Sequence, residues 1–247
     1  EAYVFGDPFG FTKQIKGTIP ANKSNYEVEA ALPDPALLCA EMLYEVLKKN
    51  GIAIDNVPES NYDQEKKFGK TETIHIHQSP TLDKIVQQTN IRSNNLYCET
   101  LLKTLGKGSF LLGIEQVKKY WQSRGVNTNA LFMSDGSGLS RSNTISTAIQ
   151  TQILGKIYRD SLLYAPFKNS LPVAGKNGSM ANIGKGTFIE NNLMAKTGYI
   201  NRARGYCGYV KTKSGKDLAF SVLFNNYNCS AKEAKLKLEK FMVELAE

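Results

Sequence analysis

Two short polar strings stand out in this sequence because together they supply a hydroxyl, an amide and an ammonium. S-N-N lies at residues 93–95, where a helix is predicted to begin, and K-T-G lies at residues 196–198, inside a predicted strand. A hydroxyl both donates and accepts hydrogen bonds, and an ammonium is a charged donor. Each string also has a purely structural interpretation: Ser93 can cap a helix with Asn95 in solvent, and Gly198 can weaken an edge strand. Taken singly, each string favours that structural interpretation.

Taken together and in this order, the strings match two of the three motifs of serine acyl-transfer enzymes, S-x-N and K-T-G. Such a site needs a base, a proton path to the leaving amine, oxyanion donors and contacts that hold the substrate. The third motif, S-x-x-K, carries the nucleophile. No serine in the 247 residues is followed three positions later by lysine.

The elements that position these strings are predicted from hydrophobic period and turn residues. Residues 1–33 predict strands and turns. Residues 160–190 predict loops. Helices are predicted at 34–50, 80–90, 93–105, 114–124 and 143–159, and strands at 71–78, 192–199, 205–211 and 217–225. In the first helix Asp34 can cap the N-terminus, and an apolar stripe at helical spacing is formed by Leu38, Cys39, Met42, Leu43, Val46 and Leu47.

In the C-terminal part, the spacing of apolar residues changes from a helical period to a strand period. Ser214 and Gly215 predict a hairpin turn, and the strand 217–225 is apolar on both faces, which predicts burial of both. Ser230 and Glu233 predict a capping box. The last helix then has a predicted apolar stripe of Ala234, Leu238, Phe241 and Leu245. Helices followed by an antiparallel meander, with a helix covering it, predict an α+β fold.

The composition excludes several classes of protein. Apolar residues make up 41% of the 247 residues, which is enough for a large folded core. No window approaches the ~18 consecutive apolar residues of a membrane span. The chain has 31 Lys and Arg against 23 Asp and Glu, a net charge of +8, without a dense basic cluster or a nucleic-acid-binding motif. We therefore expect a soluble chain with no nucleic-acid partner, and its positive surface suits an anionic envelope polymer.

Two other groups of residues are candidate sites. His75 and His77 lie two apart on the predicted strand 71–78 and so on one face, but no Asp, Glu or Cys is paired with them, and no metal site is predicted. Asp135 lies among glycines and serines, where a turn role is expected rather than a catalytic one.

The four cysteines form neither a C-x-x-C pair nor a zinc-binding pattern. Cys39, Cys98 and Cys207 are predicted to be buried free thiols because they lie among apolar or helical positions. A bridge between Cys207 and Cys229 stays open if the chain lives outside the cytoplasm.

Five longer stretches surround the two strings: HQSPTLDKIVQQTNIRSNNLYCETLLKTLG at 77–106, SDGSGLSRSN at 134–143, SLPVAGKNGS at 170–179, AKTGYINRARGYCGYV at 195–210 and LFNN at 223–226. They resemble D-alanyl-D-alanine carboxypeptidases of the penicillin-binding protein 4 type. The resemblance extends from Pro33 through nearly all of the chain and keeps the family's motif order. It implies a β-lactamase/transpeptidase-like α+β fold, with an antiparallel sheet, flanking helices and a helical subdomain.

The resemblance implies roles for the first string and for the lysine of the second. Ser93 matches the S-x-N serine, which would pass a proton between the catalytic lysine of S-x-x-K and the departing D-alanine nitrogen. Asn95 would offer its amide to the backbone of the peptide stem and help to orient that catalytic lysine. Lys196 would place a positive charge beside Ser93. The loop around Asp135 would border the cleft.

The resemblance also implies roles for the residues after Lys196. Thr197 would hydrogen-bond the terminal carboxylate of the substrate, and Gly198 would let an extended substrate lie along the strand edge. The backbone N–H of Tyr199 would be an oxyanion donor, although a small or hydroxyl residue is usual at that position. Thr81 and Thr100 have lysine three residues later but match helix-surface positions, so they are rejected as nucleophiles. No metal and no cofactor are implied.

In this family the nucleophile lies far upstream of the S-x-N helix, and a large insertion separates them. The chain is therefore expected to be the C-terminal part of a longer enzyme and inactive alone. Residues 1–33 would be the tail of an inserted or preceding β-rich region, and residues 34–247 the C-terminal part of the transpeptidase-like domain. Its sheet would be incomplete on the N-terminal side. We expect the exposed sheet to self-associate unless an N-terminal portion covers it.

The function implied is that of a serine-type D-Ala-D-Ala carboxypeptidase, with endopeptidase activity left open. It would act through an acyl-enzyme on peptidoglycan stem peptides, in the periplasm or another extracytoplasmic location. β-Lactams would inhibit the intact enzyme because they mimic the terminal dipeptide. Two alternatives stay open: a non-catalytic peptidoglycan-binding scaffold that keeps the cleft, and a serine β-lactamase on the same fold.

Overall fold

A computed structural model describes residues 2–60, 69–70 and 72–247, and the chain divides between Ile76 and His77 into two units. The boundary predicted between residues 33 and 34 differs from this division. The assignment of 1–33 and 34–247 to parts of a larger enzyme stays a prediction. The elements in chain order are β1 (Ala2–Phe5), β2 (Gln14–Gly17), α1 (Pro35–Lys49), α2 (Leu82–Arg92), α3 (Asn95–Leu105), α4 (Phe110–Ser123), α5 (Thr147–Tyr158), α6 (Tyr164–Ser170), β3 (Leu193–Ile200), β4 (Ala203–Lys211), β5 (Asp217–Asn225) and α7 (Ala231–Ala246).

The first unit contains a short hairpin and one helix. β1 and β2 pair antiparallel, with Ala2 opposite Gly17, in agreement with the strands and turns predicted for this segment. α1 begins as predicted, because Asp34 Oδ1 accepts the N–H of Leu37 at 2.8 Å. No residue of α1 is buried, and Met42 in its apolar stripe is 62% exposed. The period of the stripe therefore predicted the helix but not its burial.

The strand predicted at 71–78 is wrong for the described residues 72–78, which pair with no strand. Residue 71 lies outside the described residues. Ile74 and Ile76 are 100% and 72% exposed. Alternation favours a strand, but a strand forms only where a neighbour completes its hydrogen bonds. His75 and His77 therefore do not share the face of a strand.

Side-chain caps set the start of α3, α4, α5 and α7 in the second unit, whereas α2 and α6 begin without one. Ser109 Oγ accepts the N–H of Leu112 at 3.3 Å, so α4 begins four residues before its predicted start at 114. Ser146 Oγ accepts the N–H of Ile149 at 3.2 Å, so α5 begins later than predicted. α6 lies in the segment that was predicted to be loop. Of the helices in the described part of the chain, none combines the length and apolarity that crossing a membrane requires.

The strands β3, β4 and β5 form an antiparallel sheet in that order, as predicted. Leu193 pairs with Val210, and Lys196 pairs with Cys207. The predicted hairpin turn joins β4 to β5, and Gly215 has a φ of 82° that favours glycine. The sheet thus fixes which residues of β3 and β4 face each other.

The largest buried cluster among the described residues of the second unit packs this sheet against α7. The predicted capping box is confirmed, since Glu233 N–H donates to Ser230 Oγ at 3.2 Å and Ser230 N–H donates to Glu233 Oε2 at 2.8 Å. The predicted stripe is partly wrong, because Phe241 is 43% exposed. The buried face follows steps of four residues from Ala234, whereas the predicted stripe took steps of four, three and four. The buried residues of α7 are Ala234, Leu238, Met242 and Ala246.

The prediction that both faces of β5 are buried is also only partly correct. Phe220 is buried in the core against α7, but Ala219 is exposed and Leu223 is half-buried. β5 is an edge strand of the described sheet, and its second face borders α5, where Ser221 Oγ donates to Gln150 Oε1 at 2.5 Å. Polar contacts and open space therefore replace part of the predicted core.

All four cysteines are free thiols. Cys98 and Cys207 are half-buried, whereas Cys39 is exposed, so its predicted burial is wrong. Cys39 lies on α1, whose residues are all at least partly accessible. The bridge left open between Cys207 and Cys229 is not formed.

Candidate active site

Ser93 lies between α2 and α3 in a left-handed backbone conformation, with φ 53° and ψ 47°. Residues other than glycine rarely adopt this conformation, and those that do cluster at functional sites. Asn94 rather than Ser93 caps α3, because Asn94 Oδ1 accepts the N–H of Tyr97 at 3.1 Å. The interpretation of Ser93 as the N-cap of α3 is therefore wrong, and its hydroxyl is available for another partner.

That partner is Lys196 on β3. The Nζ atom of Lys196 donates to Ser93 Oγ at 2.8 Å, across 103 positions of the chain, and to the carbonyl oxygen of Thr197 at 3.0 Å. Lys196 is half-buried. Burial lowers the pKa of its ammonium below the ordinary 10.5, because a charge is poorly solvated there. The two strings that the sequence predicts to share one groove therefore do meet.

Two thiols that sequence reasoning did not include lie near this ammonium. Burial raises the pKa of Cys98 above its ordinary value and raises the pKa of Cys207 to about 11. Both thiols are neutral near pH 7, so neither supplies an anion to Lys196 there. Neither a C-x-x-C pair nor a zinc-binding pattern identifies such thiols, because Cys98 lies on α3 and Cys207 on β4, and only the fold brings both near Lys196.

The residues after Lys196 continue along the open edge of β3. Thr197 Oγ1 donates to Ser179 Oγ at 2.8 Å. No heavy atom of the described residues lies within 4 Å of the place that a Cβ on Gly198 would take. A Cβ on Gly208, in β4, would instead meet Met194 O at 2.0 Å. Gly198 therefore borders empty space, whereas Gly208 is needed for strand packing.

The loop of residues 134–143 is organised by Asp135. Its carboxylate accepts the N–H of Gly138 at 2.8 Å, the N–H of Ser140 at 2.6 Å and Nδ2 of Asn143 at 2.7 Å. All these contacts lie within the loop, in agreement with the predicted turn role.

Glu99 on α3 holds the same loop from outside. Its two carboxylate oxygens accept the N–H of Gly136 and the N–H of Ser137, each at 2.9 Å. α3 also carries Asn95, so Glu99 connects the S-x-N helix to the loop. The sequence contained one signal for this contact: Glu99 lies four residues after Asn95, one helical turn along the same side of the helix.

The predicted site residues line a single cleft of about 620 Å³. The loop held by Glu99 forms part of its wall, as the resemblance implied. The predicted residues are Ser93, Asn95, Lys196, Thr197, Gly198 and Tyr199. Ser93, Asn95 and Tyr199 are exposed, and Tyr199 is 53% accessible. The geometry therefore brings them together, while the role of each stays a prediction.

A second cavity of about 520 Å³ shares part of this wall. Its lining is mainly apolar, and it includes Trp121, Met133 and Ile153 of the helical region. Ile200 and Leu223 line both cavities. The cleft is thus open on one side to apolar space between the helices and the sheet.

The two histidines lie outside this site. Neither lines the cleft, and within the described ranges no group of three or more His, Cys, Asp or Glu side chains could hold a metal ion.

Comparison with known proteins identifies a family that matches this chain and two solved structures with a similar fold. The model of the D-Ala-D-Ala carboxypeptidase 3 (S13) family matches residues 9–247. The D-alanyl-D-alanine carboxypeptidase of Actinomadura sp. strain R39 is 30% identical over 234 residues, which are 88% of this chain and 42% of that protein. The chain therefore spans less than half the length of that relative.

Two solved structures resemble the fold. Penicillin-binding protein 4 of Haemophilus influenzae superposes with a TM-score of 0.80 at 23% identity, over 99% of this chain and 58% of that chain. The TLA-1 extended-spectrum β-lactamase superposes with a TM-score of 0.54 at 17% identity, over 68% of this chain and 65% of that chain. These similarities confirm the predicted α+β, β-lactamase/transpeptidase-like fold.

Proposed function

Since the chain belongs to the D-Ala-D-Ala carboxypeptidase 3 (S13) family, we propose that it forms part of a serine-type D-Ala-D-Ala carboxypeptidase. The observation that carries this proposal is the 2.8 Å hydrogen bond from Lys196 Nζ to Ser93 Oγ at the edge of an open cleft. A serine hydroxyl beside an ammonium is suited to proton transfer, because the positive charge stabilises developing negative charge on oxygen.

The proposed reaction is acyl transfer through a serine ester. A serine of an S-x-x-K segment that is not among these 247 residues attacks the carbonyl carbon of the penultimate D-alanine. The peptide bond to the terminal D-alanine breaks, and the proton of the attacking hydroxyl reaches the leaving nitrogen through Ser93 Oγ. Water then hydrolyses the ester, which restores the serine hydroxyl and releases the shortened stem peptide.

The other site residues bind the substrate in this proposal. Asn95 offers its amide to the peptide stem and helps to orient the lysine of S-x-x-K. The open edge at Gly198 accepts an extended peptide as an added strand. Thr197 Oγ1 hydrogen-bonds the terminal carboxylate, and the backbone N–H of Tyr199 donates to the oxyanion. The reaction needs no cofactor.

The substrate and the location of the enzyme belong to the same proposal. The substrates are peptidoglycan stem peptides, which are found outside the cytoplasmic membrane, so the enzyme is placed in the periplasm or another extracytoplasmic location. The Haemophilus structure that resembles this chain is complexed with a β-lactam. We propose that β-lactams acylate the intact enzyme as mimics of the terminal dipeptide.

A non-catalytic peptidoglycan-binding scaffold is the second candidate function. It is favoured by one observation, the absence of S-x-x-K from the 247 residues. A fluorescent penicillin incubated with the full-length gene product separates the two functions. Stable covalent labelling supports the carboxypeptidase, the absence of labelling supports the scaffold, and rapid loss of the label indicates a β-lactamase.

The test of the residue assignment is Lys196→Ala in the full-length gene product. We expect the rate of acylation by the fluorescent penicillin to fall about 100-fold or more. Lys232→Ala is the matched control, because Lys232 is an exposed lysine of α7 that does not line the cleft. An unchanged rate for Lys196→Ala would contradict the assignment.

A further inference from the structure

Arg204 is a second cation in the cleft. It lies on β4 directly opposite Tyr199 on β3, and its guanidinium carbon lies 4.4 Å from the centroid of the Tyr199 ring. This is the geometry of a cation on the face of an aromatic ring. A planar guanidinium stacks on such a ring more effectively than an ammonium does. Tyr199 therefore holds the Arg204 head group in place beside the cleft.

The Arg204 guanidinium has no acceptor within the described part of the chain. Its Nε atom is shielded from solvent and makes no hydrogen bond. Arg124 provides a contrast: it stacks on Tyr120 at 4.6 Å and also donates from Nη1 to Asp160 Oδ2 at 3.2 Å. The Nη atoms of this half-buried cation also make no hydrogen bond among the described residues, so they are available to an anionic ligand, which would offset the cost of an unpaired charge.

The charges around the cleft favour such a ligand. The only charged side chains among the described residues that line it are Lys196 and Arg204, and no carboxylate lines it. Two cations without an anion create a positive potential in a partly enclosed space, which attracts negative charge.

Strand register places Arg204 close to the residue assigned to carboxylate binding. Thr197 and Tyr199 point to the same face of β3, since side chains alternate. Arg204 is opposite Tyr199, and Tyr206 is opposite Thr197. Arg204 is therefore the diagonal cross-strand neighbour of Thr197, at a separation that a long side chain can span.

We propose that Arg204, held by Tyr199, forms with Thr197 a subsite for the carboxylate of the substrate's terminal residue. The proposal rests on the function proposed above, because it takes the ligand to be a peptide that ends in D-Ala-D-Ala. Arg204 donates charge-assisted hydrogen bonds to the carboxylate oxygens, and Thr197 donates its hydroxyl. Arg204 is thus a specificity-determining residue that favours peptides with a free carboxylate beside the leaving nitrogen.

The test compares two peptides in the full-length gene product. One is an N-acylated tripeptide that ends in D-Ala-D-Ala, and the other is its C-terminal amide. For each peptide, kcat/KM is measured in the wild type, in Arg204→Met, which keeps an apolar stem, and in Arg204→Lys, which keeps the charge. Arg159→Met is the matched control, because Arg159 is an exposed arginine at the end of α5 that does not line the cleft.

We expect Arg204→Met to lower the acid-to-amide ratio of kcat/KM about tenfold or more, with Arg204→Lys intermediate and Arg159→Met unchanged. An unchanged ratio would overturn the proposal. An equal loss for both peptides would also overturn it, because the arginine would then support the fold rather than bind the carboxylate.

Failure of the proposed function gives a different result. In that case the wild type hydrolyses neither peptide and takes up no fluorescent penicillin. The subsite is then tested by NMR titration of the same proteins with the two peptides. Tighter binding of the acid than of the amide, lost in Arg204→Met, supports the subsite, and equal binding of both peptides by the wild type contradicts it.

Discussion

The hydrogen bond between Ser93 and Lys196 depends on the backbone conformation of Ser93 as well as on the charge of Lys196. The left-handed backbone of Ser93 ends α2 and leaves the capping of α3 to Asn94. The Ser93 hydroxyl is therefore free to accept from Lys196. Burial of Lys196 lowers the pKa of its ammonium. Lys196 therefore loses its charge beside Ser93 at a lower pH than an exposed lysine would.

This shift predicts the pH dependence of acylation. An ammonium is charged below its pKa and neutral above it, so a lowered pKa moves the loss of charge to lower pH. We expect the acylation rate to decline on the alkaline side at a pH below 10.5, the ordinary lysine value. In Lys196→Arg the guanidinium stays charged beyond pH 12, so that decline should move upward even if the rate itself is lower.

The measurement is the rate of labelling by the fluorescent penicillin across the alkaline range. Lys232→Arg is the control, and it should reproduce the wild-type profile. A wild-type profile in Lys196→Arg would show that another group causes the decline.

The sequence could predict residues that belong to motifs and missed those whose contacts arise from folding. Ser93 and Lys196 were predicted because a hydroxyl and an ammonium recur in a fixed order. Glu99 was not predicted, since its partners are backbone N–H groups 37 and 38 positions away. Arg204 was not predicted, because its contact with Tyr199 follows from the register of β3 and β4.

Among the elements, α3 and the loop of residues 134–143 act as one wall of the cleft because Glu99 joins them. Both Glu99 oxygens accept backbone N–H groups, and the side chain is half-buried. Hydrogen bonds to a charged acceptor are stronger than those between neutral groups. The position of the loop therefore depends on this carboxylate.

We expect Glu99→Ala to lower the free energy of unfolding by about 1–3 kcal/mol, since two N–H groups lose their acceptor. We also expect the loop to shift and acylation to slow in the full-length gene product. Urea unfolding of the 247-residue chain measures the first effect. Glu115→Ala is the control, because its pair with Lys119 on α4 is exposed and such pairs contribute about 0.2–0.5 kcal/mol. Equal stability of the two variants would contradict the role of Glu99.

Elements with local signals were predicted better than elements that need a partner. The caps of α1 and α7 are formed by Asp34 and Ser230, and both were evident in the sequence because a cap involves residues three apart. The segment 72–78 has the alternation of a strand but no neighbour that pairs with it. The exposure of the apolar stripe on α1 was missed for the same reason, since a stripe does not specify what covers it.

At the scale of the molecule, the chain has the fold of its family, as the resemblance predicted, over about half the length of its relatives. The second unit leaves apolar surface open beside the cleft. The 520 Å³ cavity opens to solvent, and Phe132 in its lining is 57% exposed. β3 and β5 are edge strands in the described sheet.

These features predict that the isolated 247-residue chain self-associates. Exposed apolar cavities and unpaired strand edges both favour contact with another copy. Light scattering behind size exclusion, over a range of concentrations, measures the mass. A mass that rises above the monomer value with concentration is expected, and a constant monomer mass would contradict the prediction.

The central claim is that Ser93 and Lys196 act as one unit in a single cleft. The most direct measurement is a double-mutant cycle on the acylation rate of the full-length gene product, with Ser93→Ala, Lys196→Ala and the double variant. If the two side chains act together, the double variant should lose little more activity than the more damaging single variant. If the two losses multiply, as they should for Ser93→Ala combined with Lys232→Ala, the residues act independently and the account is contradicted.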